Sequence, residues 1–165
     1  MSAKRILLAP LFLLGLLVIT PAVALVVGVR LLAGYEASKR LFDILFALAW
    51  LIGFSPLLLG VAVLVRLKLG SPILFSQVRP GKDGAPFRMV KFRSMTDERD
   101  ASGALLPDNA RLTAFGKFLR SSSLDEFPEM LNVLLGHMSV VGPRPLLMEY
   151  VPLYNPTQRR RLDVK

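Results

Sequence analysis

Two adjacent carboxylates, Asp125 and Glu126, are the side chains of this sequence best suited to chemistry. They end an S-L-D-E run at residues 123–126, which matches the S-x-x-E capping box and precedes an apolar run at residues 130–135. The pattern predicts both carboxylates in the first turn of a helix, where free N–H groups and the helix dipole favour an ionised carboxylate or a bound phosphate. Acidic residues in a first turn also simply stabilise a helix, so the pair alone does not identify a catalytic site.

Basic residues crowd the same half of the chain. The candidates for contact with an anion are Arg79, Lys91, Arg93, Arg111, Arg120 and Arg144. Arg144 stands in a V-G-P-R-P run, whose two prolines predict a rigid turn that holds one guanidinium in place. Guanidinium forks suit phosphate oxygens, and a basic face also attracts anionic lipid headgroups. The residues fit either use, or both.

Two strands and an amphipathic helix are predicted to position these side chains. Residues 73–77 and 87–92 have strand character and are separated by the turn-forming run P-G-K-D-G at residues 80–84. Residues 96–109 predict a loop. Residues 111–121 then carry apolar side chains at helical spacing, and this stripe fits either a core or the surface of a bilayer.

Charge divides the chain into an apolar half and a basic half. Residues 1–75 hold 7 of the 21 Lys and Arg and 2 of the 12 Asp and Glu, which leaves 14 and 10 for residues 76–165. This distribution predicts a membrane protein with a small domain attached. With no Cys and only His137, the sequence excludes thiolate nucleophiles, Cys-based zinc sites and multi-histidine metal sites. It also lacks P-loop and G-x-S-x-G motifs, so its chemistry depends on carboxylates, hydroxyls, Lys and Arg.

Residues 6–29 and 44–65 carry no charge, and each stretch is long enough to cross a bilayer as a helix. The second contains Ser55-Pro56, where proline removes a helical hydrogen bond and a hydroxyl can satisfy the freed group. Basic residues flank this segment on both sides, and Lys/Arg-rich flanks are usually cytoplasmic. A re-entrant hairpin and a Pro-kinked transmembrane helix therefore fit about equally. The first segment repeats the pattern at Thr20-Pro21 and fits a second hairpin, a kinked span or a chance match.

Short motifs follow one another in a fixed order over residues 39–165. They are K-R-L-F-D (39–43), S-P (55–56), F-S-Q-V-R-P-G (75–81), K-F-R-S-M (91–95), R-L-T (111–113), F-L-R (118–120), S-L-D-E (123–126), N-V-L (132–134) and M-S-V-V-G-P-R-P (138–145). Together these motifs resemble those of the bacterial sugar transferase family, the monotopic phosphoglycosyl transferases.

The resemblance implies an α+β, membrane-associated fold. A re-entrant helix–break–helix membrane hairpin bends at Ser55-Pro56, and a small, mostly helical catalytic domain adds a short β-hairpin and interfacial amphipathic helices. The expected divisions are an extra N-terminal hydrophobic membrane segment at residues 1–38, the re-entrant helix at 39–70 and a catalytic domain at 71–165. The catalytic domain is expected on the cytoplasmic face of a bacterial inner membrane. Family members commonly continue into a P-G-I-T-G-W-like segment, so this domain is expected to be truncated at its C-terminus.

The resemblance also implies an activity. Such enzymes move a sugar-1-phosphate from a nucleoside diphosphate sugar, usually a UDP-sugar, to polyprenol phosphate and release UMP, the first membrane step of surface glycan synthesis. The family's acidic dyad falls on Asp125, the nucleophile of a covalent phospho-sugar intermediate, and on Glu126, which helps to hold Mg²⁺. The six basic residues are then expected to bind substrate. This sequence departs from the family at Glu129, where Gln is common, and at His137, where Asp is common.

A second class of function also fits the sequence: a non-catalytic, membrane-anchored scaffold whose basic face binds anionic lipid. Loss of the dyad would be expected in such a protein, whereas Asp125 and Glu126 are both kept. No nucleic-acid motif or aromatic platform is present, so nucleic acid is not an expected partner. The sequence leaves open which sugar is transferred, whether the chain forms a homo-oligomer and what residues 1–38 do.

Overall fold

The computed structural model describes the backbone from residue 3 onward and the side chains of residues 21, 23–30 and 34–165. Most side chains of the first apolar segment lie outside this set, so the topology expected for residues 1–38 stays a prediction. The chain divides into two compact units, Met1–Phe46 and Ala47–Lys165. The divisions expected at residues 38 and 70 also stay predictions.

Two helices contain the apolar sequence. Helix α1 is Ala3–Gly53, interrupted at Gly34, whose φ of 83° lies in the region that favours glycine. Helix α2 is Ser55–Leu69, with Phe54 at its N-cap and a proline in its first turn, where the missing N–H has no helical partner. The Ser55 hydroxyl donates a hydrogen bond to the carbonyl oxygen of Ile52 at 2.7 Å. The hydroxyl therefore satisfies a carbonyl at the break, as the sequence predicts.

Among the described residues, no single helix is both long enough and apolar enough to cross a membrane. The stretches Gly34–Gly53 and Ser55–Leu69 reach that length and apolar character only as a pair, and they are bent by 64° at the break. The helix–break–helix predicted at Ser55-Pro56 is thus confirmed as a bent pair, and its entry into a membrane stays a prediction.

The predicted hairpin is confirmed. Strand β1, Leu74–Pro80, pairs antiparallel with strand β2, Pro86–Phe92. Between them Lys82–Gly84 form a single 3-10 turn. Within this turn Asp83 adopts a left-handed φ of 57°. The strands were predicted at residues 73–77 and 87–92. Both extend further toward the turn than predicted, β1 to Pro80 and β2 back to Pro86.

Short helices follow the sheet. They are α3 (Asp108–Arg111), α4 (Ala114–Ser121), α5 (Glu129–Leu135) and α6 (Pro156–Arg159), with 3-10 turns at Leu124–Glu126, Met148–Leu153 and Arg160–Leu162. The helix predicted over 111–121 begins later than expected, because the Thr113 hydroxyl accepts a hydrogen bond from the Gly116 N–H at 3.1 Å and caps α4. The loop predicted at residues 96–109 is observed at 96–107, because α3 begins at Asp108.

The core of the Ala47–Lys165 unit forms where α2 meets β2 and α4. Its buried residues are Val61, Val65, Leu69, Phe92 and Leu119. The three from α2 recur every fourth residue, which places them on one face of the helix. On α4, Leu119 is fully buried while Phe118 is exposed. The amphipathic stripe is therefore partly core, and it leaves one aromatic ring on the surface.

Candidate active site

The two dyad carboxylates lie in the 3-10 turn Leu124–Glu126, ahead of α5 rather than inside it. The capping box expected here is wrong, because Ser123 adopts a left-handed φ of 55° and its side chain makes no capping hydrogen bond. Only the Ser123 carbonyl contributes, accepting from the Glu126 N–H at 3.2 Å. Asp125 is nonetheless 4% exposed, so the candidate nucleophile is buried.

A buried amide ties this turn to the sheet. Asn132 of α5 is 1% exposed, donates through Nδ2 to the Arg88 carbonyl at 2.7 Å and accepts through Oδ1 from the Val90 N–H at 2.9 Å. Both bonds are to the backbone of β2, the strand that carries Lys91. The dyad turn and Lys91 are therefore held at a fixed spacing.

An aromatic cluster holds the other side of the turn. Phe127, the residue after the dyad, packs edge-on against Trp50 with ring centroids 5.0 Å apart and against Phe54 with centroids 5.5 Å apart. Trp50 and Phe54 are themselves in contact at 4.4 Å and lie at the helix break. Pairs of this kind stabilise by about 0.5–1.5 kcal/mol beyond their buried area. The break between the two apolar helices is thus packed directly against the dyad turn.

The charge state of Asp125 results from opposing influences. Burial raises the pKa of its carboxyl group, and the negative charge of Glu126 raises it further, whereas the positive charges of Lys91 and Arg120 lower it. Arg120 donates from Nε to the buried Ser94 hydroxyl at 2.9 Å, which restricts where its guanidinium can lie. The charges of two nearby cations therefore favour the ionised form of this buried carboxylate.

Glu129 is a site residue that the sequence analysis did not select. Burial raises the pKa of this carboxyl group to about 7, helped by the charge of Glu126 and, more weakly, of Asp125. Its Oε1 atom is buried and finds no hydrogen-bond partner in the part of the chain that the structure describes. Two features of the sequence could have indicated it. Glu129 follows Glu126 by three residues on a helical stretch, and it stands where Gln is common in the resembling family.

The structure separates the six basic candidates into two groups. Arg144 forms an ion pair with Glu126 and lines a cleft of about 220 Å³ together with Glu129, Phe87 and His137. We call this the Arg144 cleft. The Phe87 and His137 rings stack with centroids 5.8 Å apart in its lining.

Arg79 lies beside the Arg144 cleft without lining it. One terminal nitrogen of its guanidinium is 3.5 Å from the Pro145 carbonyl oxygen, and the other donates to Gln77 Oε1 at 2.8 Å. Pro145 is part of the cleft lining. Arg79 therefore contacts the V-G-P-R-P segment without lining the cleft itself.

The other four basic candidates line a separate space of about 270 Å³, which we call the basic cavity. Its charged lining residues are Lys91, Arg93, Arg111, Arg120, Asp97 and Asp108. Arg93 is buried and uses its guanidinium internally, donating to the Met95 carbonyl at 2.8 Å and the Ser71 carbonyl at 2.6 Å and pairing with Asp97. These contacts indicate that Arg93 holds the wall of the cavity together.

The residues present fit a magnesium ion that is shared with a substrate. Among the described residues, no group of three or more acidic or histidine side chains could form a metal cage. Mg²⁺ does not need one, because it typically uses one or two protein carboxylates and takes its other oxygens from substrate phosphates and water. Glu126 and the unpartnered Oε1 of Glu129 line the same cleft and meet that smaller requirement.

Comparison with known proteins agrees with the motifs. The chain is 56% identical over 127 residues to the sugar transferase EpsL of Bacillus subtilis (strain 168), an alignment covering 77% of this chain and 63% of EpsL. It is 50% identical over 109 residues to the UDP-glucose:undecaprenyl-phosphate glucose-1-phosphate transferase of Klebsiella pneumoniae, covering 65% of this chain and 23% of that protein. A UDP-N-acetylgalactosamine-undecaprenyl-phosphate N-acetylgalactosaminephosphotransferase of Aeromonas hydrophila is 41% identical over 123 residues, covering 73% and 29% respectively.

The chain thus spans less than two thirds of the length of these relatives. The model of the family described as bacterial sugar transferase matches residues 34–165, which include α2, the sheet, the dyad turn and both cavities. This chain belongs to the bacterial sugar transferase family.

Proposed function

We propose that this protein transfers a sugar-1-phosphate from a UDP-sugar to polyprenol phosphate and releases UMP, as the initiating membrane step of bacterial surface glycan synthesis. The observation that carries the proposal is the buried carboxylate of Asp125, which lies beside Glu126 and whose ionised form is favoured by the charges of Lys91 and Arg120. The names of the Klebsiella and Aeromonas relatives, which specify UDP-sugar donors and an undecaprenyl phosphate acceptor, support the choice of substrates.

In the first half-reaction, a carboxylate oxygen of Asp125 attacks the phosphorus that carries the sugar. A bond forms between that oxygen and phosphorus, and the bond from phosphorus to the bridging oxygen breaks. UMP leaves with the electron pair. Covalent catalysis of this kind divides one difficult transfer into two easier steps.

The surrounding charges suit this step. An anionic nucleophile can approach a diphosphate only when nearby cations compensate the charge on the phosphate oxygens. The charges of Lys91 and Arg120 act on Asp125 itself, and Arg144, paired with Glu126, is the cation that can meet the diphosphate oxygens. Mg²⁺, when held by Glu126 with support from Glu129, would supply further positive charge to the diphosphate.

The raised pKa of Asp125 also implies a pH dependence. The carboxylate must be ionised to attack, so the first half-reaction should slow as the pH falls through this raised pKa. The loss should begin at a higher pH than it would for a solvent-exposed aspartate.

We further propose that the bent helix pair enters the cytoplasmic leaflet of the inner membrane and returns to the same side. Ile52, Leu59 and Leu67 around the break and along α2 are more than 65% exposed, as expected for side chains that face lipid. The Ser55 hydroxyl supplies the hydrogen bond that a break in hydrocarbon requires. In this arrangement the dyad turn, packed on Trp50 and Phe54, lies at the depth of the lipid phosphates.

The intact mass of the detergent-purified chain tests the proposal. The protein is incubated with Mg²⁺ and either UDP-glucose or UDP-N-acetylgalactosamine, without a lipid acceptor. We expect a sugar-phosphate adduct and an equal amount of UMP for the wild type, neither for Asp125→Asn, and neither for the wild type in EDTA. Asp83→Asn, which removes an exposed carboxylate on the hairpin turn, is the matched control and should form the adduct normally.

An adduct of equal yield in Asp125→Asn would contradict the assignment of the nucleophile. A scaffold that only binds anionic lipid would release no UMP with or without Asp125, even when undecaprenyl phosphate is added. That result with both donors would overturn the proposed activity.

A further inference from the structure

The basic cavity has the charge of a site for one phosphate group. Its lining contains four cations, Lys91, Arg93, Arg111 and Arg120, and two carboxylates, Asp97 and Asp108, so its net charge is 4 − 2 = +2. A phosphate monoester carries a charge of about −1.5 to −2 at neutral pH. A ligand of this class would neutralise the cavity almost completely.

Arg111 is already held in place as a donor. Its terminal nitrogens contact Asp108 Oδ1 at 2.6 Å and the Thr96 carbonyl at 3.4 Å, which fix the guanidinium on the cavity wall. Its Nε–H is buried and has no hydrogen-bond partner among the described residues. A buried donor without a partner is costly, and an anion in the cavity offers an acceptor of the required charge.

The cavity is also close to the candidate nucleophile. Lys91 and Arg120 line it, and these are the two side chains whose positive charges act on Asp125. A phosphate bound between them would therefore lie near Asp125, whereas Arg144 of the other cleft pairs with Glu126.

The C-terminal end of the apolar helix α2 packs next to residues that line this cavity. Phe92, one of its lining residues, is part of the buried cluster with Val65 and Leu69 of α2. Arg93 in its wall is bonded to the Ser71 carbonyl, two residues after α2 ends. Phe75 also lines it and is nearly half exposed. The cavity therefore combines a net charge that suits one phosphate with a partly exposed apolar ring and an apolar helix end nearby, which suits a phosphate carried on a hydrocarbon chain.

We propose that the basic cavity binds the phosphate of the polyprenol acceptor and that the soluble donor occupies the Arg144 cleft. This inference rests on the proposed function, and it adds separate phosphate-binding groups for the two substrates beside one nucleophile. In the second half-reaction, an oxygen of the acceptor phosphate attacks the phosphorus bound to Asp125. A phosphorus–oxygen bond forms, the bond to the carboxylate oxygen breaks with its electron pair, and polyprenol diphosphate sugar leaves. The acceptor oxygen arrives deprotonated, so no proton needs to be moved.

The experiment separates the two half-reactions in the variant Arg111→Gln. The rate of adduct formation from the donor that labels the wild type is measured first, and the adduct is then discharged with increasing undecaprenyl phosphate in detergent micelles. Loss of a charge-assisted hydrogen bond to phosphate weakens binding by about tenfold or more. We expect the acceptor concentration for half-maximal discharge to rise by that factor, while adduct formation stays within about twofold of the wild type.

Two further variants make the result specific. Lys117→Gln removes an exposed cation from α4 outside the cavity and should change neither half-reaction. Arg111→Lys keeps the positive charge and the partner Asp108, so it should recover part of the acceptor affinity. A melting curve for each variant establishes that it is folded, and the Lys variant carries the test if the Gln variant is not.

The outcomes distinguish this inference from the proposed function. If the wild type forms neither adduct nor lipid product, the proposed function fails and the cavity assignment fails with it. If the wild type is active and Arg111→Gln slows adduct formation without changing the acceptor dependence, the cavity binds a donor phosphate and this inference alone is overturned. An unchanged acceptor dependence with normal adduct formation would overturn it as well.

Discussion

Replacing Glu129 by Gln should make the protein more stable at alkaline pH and leave it nearly unchanged at acidic pH. Glu129 is packed near Glu126 and Asp125, and burial together with these charges raises its pKa to about 7, whereas Arg144 and Lys91 act in the opposite direction. Gln has the size of the protonated carboxyl group but cannot ionise. The variant therefore keeps the packing of Glu129 and removes only its titration.

The magnitude follows from the difference in pKa. Glu129 has a pKa of about 7 in the folded chain and an ordinary value of 4.5 when unfolded, and a difference of one in pKa corresponds to about 1.36 kcal/mol. Ionising the folded carboxyl group therefore costs up to about 3 kcal/mol. Water reaches part of this side chain and screens its charge, which leaves about 2 kcal/mol.

The sign is that of a carboxyl group whose pKa is raised by folding. Between pH 4.5 and 7 the folded chain keeps a proton that the unfolded chain releases. The stabilisation is complete below pH 4.5 and is lost as the pH rises through 7. Asp125 also has a raised pKa, but it is present in both proteins and is the weakest of the influences on Glu129, so its contribution largely cancels in the comparison.

The assay is thermal melting of both proteins in detergent and EDTA, at intervals from pH 5 to pH 8. We expect the wild type to lose more stability over this range, so that Glu129→Gln melts a few degrees higher at pH 8. Glu149→Gln removes an exposed carboxylate and should follow the wild type at every pH. Parallel curves for the wild type and Glu129→Gln would refute the reasoning, because they would show that the Glu129 carboxylate is ionised at little cost in the folded chain.

Two further predictions concern the scaffold. Asn132→Leu leaves the Val90 N–H and the Arg88 carbonyl of β2 without their side-chain partner. This change should lower the free energy of unfolding, measured by urea titration, by about 3 kcal/mol. An unchanged midpoint would show that water satisfies both groups. If the bent pair is re-entrant, single cysteines at residues 36 and 71, introduced into this Cys-free chain, should react with an impermeant thiol reagent from the cytoplasmic side only. Labelling of the two positions from opposite faces would show instead that the pair spans the membrane.

Local features of the sequence account for much of the fold. The run P-G-K-D-G between two strand-like stretches predicts the hairpin, because its residues favour a turn regardless of what packs around them. Ser55-Pro56 predicts the break, because proline cannot continue the hydrogen bonds of the preceding helix. The helix predicted from residue 111 begins three residues later, at Ala114, because the Thr113 side chain caps its N-terminus. The capping box failed for a related reason: Ser123 adopts a left-handed conformation that removes its hydroxyl from the helix terminus.

The candidate site was only partly predictable. Adjacent acidic residues and a surplus of Arg and Lys can be read from the chain, and both are present around the dyad turn. Their division between the Arg144 cleft and the basic cavity depends on long-range packing, which spacing does not reveal. Asn132 lies in an apolar run, and nothing local indicates that its amide will bond to a strand more than 40 residues away. Glu129 was marked in the sequence only by its spacing from Glu126 and its departure from Gln, and the burial that raises its pKa depends on the fold.

Asn132 also has a consequence for how the site comes to exist during folding. A two-stranded sheet is marginal by itself, and the outer edge of β2 offers unpaired backbone groups that could recruit another chain. The amide of Asn132 occupies one donor and one acceptor on that edge, as a third strand would. Completion of the sheet and placement of the dyad are consequently a single event. Before the hairpin has formed, Asn132 has no strand to bond to and Asp125 is not held in position. Once Asp125 is in position, the amide of Asn132 already covers part of the exposed edge of β2.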